Sequence, residues 1–236
     1  MKMKHHITWI LTGFVTSLLI TRFSAMAADN VVVIPLYSSS NNISTVTSKT
    51  GRVWMDRNLG AIRVAGSKTD SLAYGWLYQW GRPADGHESR TSPVTDLNDF
   101  SSGDVPGHGD FIRVDSAPHD WRNPQNDSLW QGKNGTNNPC PPGFRLPTAQ
   151  EWQAEAATWS SKDIDGAYNS KLKLPTAGCR YRVTGGMSQV GYSGRYWSSD
   201  VSATQAQVFY FDPNPNSAIM SPEERALGGS VRCIKD

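Results

Sequence analysis

Cys140-Pro-Pro-Gly-Phe-Arg-Leu-Pro-Thr-Ala-Gln-Glu-Trp152 decides how the centre of this chain folds. Pro141, Pro142 and Gly143 are turn chemistry, because proline presets φ and glycine reaches angles closed to other residues. Phe144-Arg145-Leu146 alternates apolar and polar, as a short strand does. Pro147 biases Leu146 away from helical angles. Thr148 and Glu151 are spaced as a capping box that starts a helix. Losing the Thr148 cap costs about 1 kcal/mol. Trp152, Ala156 and Trp159 then fall at i, i+4 and i+7, giving that helix one apolar face.

Working outward, residues 1–27 read as a signal peptide. Met1 to His6 is basic, Ile7 to Ile20 is mainly apolar and short of the ~20 residues a bilayer span needs, and Ala25-Met26-Ala27 suits signal peptidase. Arg22 is unusual for such a segment, and a retained anchor is the alternative. No cysteine near the cleavage site points to a lipid anchor, and no later apolar run reaches membrane length. The mature chain is therefore expected to be exported, to the periplasm or to the cell surface and medium.

Export permits disulfides. The three cysteines, Cys140, Cys179 and Cys233, can make one internal pair, and sequence alone does not choose it. The favoured pair is Cys140 with Cys233, which ties the helix start to the last strand. The chain-entropy model assigns such a loop about 4 to 5 kcal/mol, less any strain. Cys179 is then a buried thiol packing as a small hydrophobe.

Hydrophobic residues are 38% and charged residues 19% of the 236, with 21 glycines and 14 prolines, the balance of a single loop-rich globular domain. A net charge of +2 with no basic run gives no handle for nucleic acid. Residues 28–50 read as an N-terminal strand, Val31 to Tyr37, followed by a Ser/Thr/Asn-rich linker. Val53-Trp54-Met55 reads as a strand and Asp56 to Gly60 as its turn. Leu72, Trp76 and Trp80 are spaced as a short amphipathic helix or an irregular aromatic segment. From Pro83 to Pro139 polar and turn residues dominate, a long loop of the kind that often carries function. Strands are expected at Gly178–Val183, Arg195–Ser199, Gln207–Phe211 and Ser230–Ile234, with an antiparallel sheet rather than βαβ units.

Gly51 to Ala61, Tyr78-Gln79-Trp80-Gly81-Arg82, Cys140 to Trp152, Ala177-Gly178-Cys179-Arg180, Gly194 to Ser199 and Ser230 to Ile234 occur in this order. Together they resemble the Fibrobacter succinogenes major paralogous domain, a family similar to C-type-lectin-like domains and to the formylglycine-generating sulfatase-modifying fold. The resemblance covers residues 51–236. It implies an α+β fold, C-type-lectin-like, with one or two helices, short antiparallel strands and extensive irregular loops, the segment 83–139 being a long loop insertion. It also supports the pair Cys140–Cys233. The family more often carries an aromatic residue where this chain has Cys179, which favours a free thiol there. The family offers no catalytic set to carry over.

A calcium-dependent lectin site needs several converging oxygen ligands. The Glu-Pro-Asn, Gln-Pro-Asp and Trp-Asn-Asp motifs are absent, and Asp96, Asp99, Asp104 and Asp110 are irregularly spaced, so calcium is a minor expectation. His87, His108 and His119 lack zinc-ligand spacing. No nucleophile elbow, P-loop or dinucleotide fingerprint is present. Asp163 with Asp165, or Glu223 with Glu224, are candidate paired carboxylates only if the fold brings other acids to them. Trp54, Trp152 and Trp197 read as core. Trp80, Trp121 and Trp130, around the long loop, are the candidate ligand-stacking residues, with packing of that loop as the other role open to them. The expectation is a non-enzymatic binding module for a glycan or a surface protein. The alternatives are an oxidase like the sulfatase-modifying factors, which use paired cysteines, and a structural subunit of a surface assembly. Mass spectrometry of the exported protein is expected to find Ala28 as its first residue; an intact N-terminus in the inner membrane would contradict this.

Overall fold

The computed structural model describes residues 43–236; the signal segment and the strand expected at Val31–Tyr37 lie outside it. Within the described residues the chain is mostly short strands with two α-helices, an α+β arrangement. The strands are β1 (Thr45–Thr47), β2 (Val53–Met55), β3 (Tyr78–Gln79), β4 (Val94–Leu97), β5 (Phe111–Arg113), β6 (Phe144–Arg145), β7 (Cys179–Arg180), β8 (Met187–Ser188), β9 (Gly194–Ser202), β10 (Gln205–Phe211), β11 (Ile219–Glu223), β12 (Gly228–Gly229) and β13 (Ile234–Lys235). The helices are α1 (Ala149–Ala157) and α2 (Ile164–Asn169).

The quoted stretch folds as its residues dictate. Gly143 sits at φ +85°, and Phe144 N donates to Pro141 O at 2.9 Å to close the turn. The capping box is complete: Glu151 N donates to Thr148 Oγ1 at 3.1 Å and Thr148 N to Glu151 Oε2 at 2.9 Å. The same carboxylate receives Arg145 and Arg52, so the helix start is welded to β6 and to the loop before β2. Trp152 stacks on Phe209 at 5.1 Å and lies 4.9 Å from Trp54.

Sheets run β1-β2-β13-β6, β9-β10-β11 and β3-β12-β7-β8, all antiparallel. The fourth, β4-β5, is parallel, against the purely antiparallel expectation. Parallel neighbours need a crossover of a dozen or more residues, and residues 98–110 supply it. The β9-β10-β11 sheet is a wall between two cores. Trp197 and Val208 point into one with Tyr78, Trp80, Trp121 and Trp130; Tyr196, Phe209 and Phe211 point into the other with Trp54, Trp152 and Trp159. A strand covered on both faces carries a near-continuous apolar run, which is why Gln205–Phe211 reads so clearly as a strand.

Two expectations are corrected and one open alternative is decided. The linker contains β1, whose β-branched Thr-Val-Thr pairs with β2. Leu72–Trp80 takes the irregular form of the two expected: a single 3-10 turn at Ser71–Ala73 stops at Gly75, which has φ +67° and Leu59 O only 2.2 Å from where a Cβ would stand. Segment 83–139 is not a loop laid on the body. It contributes β4, β5 and the buried Phe111, Ile112, Val114, Trp121, Leu129 and Trp130.

Cys140 and Cys233 are bonded, with Cα atoms 5.9 Å apart and a sequence separation of 93, and Cys179 is free and buried. Titration of the unfolded, unreduced protein should therefore yield one thiol, mapping to Cys179. Cys233→Ser should lower the unfolding free energy by about 2 to 5 kcal/mol in chemical denaturation; an unchanged midpoint would contradict a structural role for the bond.

Candidate functional site

Trp80, Trp121 and Trp130 do come together, but as core. None is more than 1% exposed. Trp80 and Trp130 rings pack 5.8 Å apart, Arg225 covers Trp80 at 4.8 Å, and Arg82 lies 5.9 Å from Trp121. Trp121 Nε1 donates to Trp80 O at 2.7 Å, and Trp80 Nε1 to Ser198 O at 2.9 Å. The indoles thus staple the 83–139 segment to β9, and rings covered in this way have no face left for a sugar. The polar residues between them hid this in the sequence, since the partner carbonyls belong to distant segments.

Asp85, His87 and Glu88 are the one group of acids and histidines at metal-ligand separations among the described residues. Its imidazole is already committed. His87 Nε2 accepts Gln79 N at 3.0 Å, and Nδ1 donates to Asp85 Oδ1 at 2.7 Å. Complete burial, with the Arg82 charge adding to it, pushes the His87 pKa down to about 3, so the ring is neutral. Arg82 Nε binds Asp85 at 2.8 Å, and the same guanidinium reaches Gln79 Oε1 and the carbonyls of His108 and Asp110. This is a brace for the 83–110 backbone. Asp104 pairs with Arg122 at 2.7 Å. Neither His108 nor His119, nor Asp96, Asp99, Asp104 and Asp110, joins a three-ligand group among the described residues.

A partly buried row of charges lies elsewhere, on and beside β9 and β11. Arg195 Nε stands 3.6 Å from Glu223 Oε2, and Arg182 Nε 3.6 Å from Glu224 Oε2. Glu223 and Glu224 touch, so the row reads Arg182, Glu224, Glu223, Arg195. Register places it: Arg195 faces Tyr210 on β10, and Tyr210 faces Ile219 on β11, so Arg195, Tyr210, Ile219 and Glu223 share one face of the sheet. Arg195 lies 4.9 Å from the Tyr210 ring, and its NH1 donates to Gln189 Oε1 at 2.6 Å. Arg182 lies 5.9 Å from the Tyr181 ring. Tyr181, Met187, Val190 and Tyr192 are exposed around this row. Cys179 lies under it; burial raises its thiol pKa, which keeps the thiol protonated. Sequence reading named Glu223 and Glu224 as neighbours but missed the arginines, which only strand register brings to them.

Comparison with protein-family models, with curated proteins and with solved structures finds no match to this chain.

Burial first, and then the hydrogen bond with Glu224, raises the Glu223 pKa from an ordinary 4.5 to about 7. Between those values the folded chain holds a proton that the unfolded chain has released, so stability falls as pH rises from about 4.5 to about 7. Denaturation midpoints of wild type should fall across this window more steeply than those of Glu223→Gln; parallel curves would contradict the assignment.

Proposed function

We propose that the chain is an exported, non-enzymatic binding module of C-type-lectin-like architecture, related to the Fibrobacter succinogenes major paralogous domain, that recognises a glycan or a surface protein through the face around Tyr181, Arg182, Tyr192, Arg195, Glu223 and Glu224. The observation that carries this reading is the exposure of two tyrosines beside a fixed row of arginines and glutamates while the three candidate tryptophans are buried. Tyrosine faces stack on sugar rings or partner side chains, and a row of alternating donors and acceptors orients hydroxyls or amides. The Cys140–Cys233 bond fits an oxidising compartment, and no helix among the described residues is long and apolar enough to cross a membrane. An oxidase using paired cysteines is disfavoured, because two of the three are bonded and Cys179 is buried with a raised pKa.

A glycan array with the mature chain tests the reading. Tyr181→Ala combined with Tyr192→Ala should weaken the best glycan about tenfold, the sum of two stacking contacts, with the unfolding midpoint unchanged because both rings are exposed. Full affinity in that variant would move the site away from this face. An empty array beside self-association of the pure protein would favour the structural-subunit alternative.

A further inference from the structure

Residues 158–160, just past the end of α1, and the C-terminal half of α2 border a shallow hollow of about 30 Å³, lined by Lys49, Trp159, Ser160, Asn169, Lys171 and their neighbours. That is below the ~300–1,000 Å³ of pockets that enclose a drug-sized molecule, so it suits a single small group. Its charges are unbalanced. Lys49 and Lys171 have no ion-pair or hydrogen-bond partner among the described residues, and the same holds for the Ser160 hydroxyl and the Asn169 amide.

Two of the three nearby acids, Asp163 and Asp165, are engaged elsewhere. Asp163 accepts the Ser161 hydroxyl and the amides of Asp165 and Gly166. Asp165 is paired with Lys68 at 2.6 Å. Glu155 is buried; its Oε1 accepts the Trp159 indole N–H at 3.3 Å, while its Oε2 has no hydrogen-bond partner. The C-terminus of α1 would repel an anion, but Lys162 donates to Ala156 O and, at 3.1 Å, to Trp159 O, which neutralises that end. Two exposed lysines without ion-pair partners, a spare hydroxyl and a spare amide are left lining one small recess.

We propose that this hollow binds an anionic substituent of a saccharide, a carboxylate or a sulfate, between Lys49 and Lys171, with Ser160 and Asn169 donating hydrogen bonds. The saccharide half of this statement rests on the binding-module reading; the anion half does not, and the hollow shares no residue with the tyrosine face.

Calorimetry on the mature chain at low ionic strength, with sodium glucuronate, glucose 6-sulfate, glucose and sodium sulfate as probes, separates these halves. The acidic sugars should bind at least about tenfold more tightly than glucose, with the advantage shrinking as salt is added. Lys49→Gln with Lys171→Gln should remove that advantage, Lys49→Arg with Lys171→Arg should keep most of it, and Lys173→Gln, outside the hollow, should leave it intact. Equal binding of glucose and glucuronate, or an unchanged advantage in the double glutamine variant, overturns the site. Sodium sulfate binding as tightly as either acidic sugar overturns its assignment to a saccharide. The Tyr181→Ala, Tyr192→Ala variant should retain the preference for acidic sugars, so failure of one site is told apart from failure of the other.

Discussion

The fold depends on side-chain donors that reach the carbonyl groups of irregular backbone. Short strands and long loops leave many carbonyls without ladder partners, and a buried carbonyl left unpaired costs about 1 to 3 kcal/mol. Here arginine, glutamine and tryptophan satisfy them. Arg180 donates to the carbonyls of Gly185, Ser89 and Ser92, and Arg232 to that of Leu172 at 2.7 Å. Gln79 Nε2 bridges Ile112 O and Ala226 O, and Trp197 Nε1 reaches Tyr78 O. Burial of Arg232 lowers its pKa to about 10, so the guanidinium remains charged near neutral pH and remains a donor. The planar fork serves several carbonyls at once, a geometry that lysine does not reproduce.

This way of building a core explains where the reactive-looking groups went. Aromatic rings in the polar 83–139 segment are consumed as staples, and the imidazole of His87 is consumed as a strut between Gln79 and Asp85. What remains at the surface is what the braces do not use: tyrosines 181 and 192, the carboxylates at the end of β11, and two lysines beside α2. These groups sit on backbone that is itself held by buried donors, so they are presented with little freedom to lose on binding.

Much of this was legible where the signal is local. A capping box, a proline-glycine turn and an apolar stripe specify α1 and its approach within a few residues of chain, and the cysteine positions agree with them. The apolar run of β10 was equally plain. Legibility fails where partners are remote in sequence. The β4–β5 pairing is parallel and non-local, and α2, six residues with an internal glycine, is too short for periodicity to register beyond its Asp163 cap. The tryptophans misled for the same reason: the carbonyl that Trp80 serves lies 118 residues away. The arginines beside Glu223 and Glu224 were invisible until register placed them.

The wall formed by β9, β10 and β11 couples the halves of the molecule. Trp197, Ala206 and Val208 belong to one core and Tyr196, Phe209 and Phe211 to the other, so neither core can loosen without disturbing a strand that the other needs. Proteins assembled from separable layers can shed one and keep the rest. This chain has no such layer among its described residues, so added length is best accommodated in turns that leave the wall untouched, such as Asp212 to Asn216, where residues 213–216 are exposed.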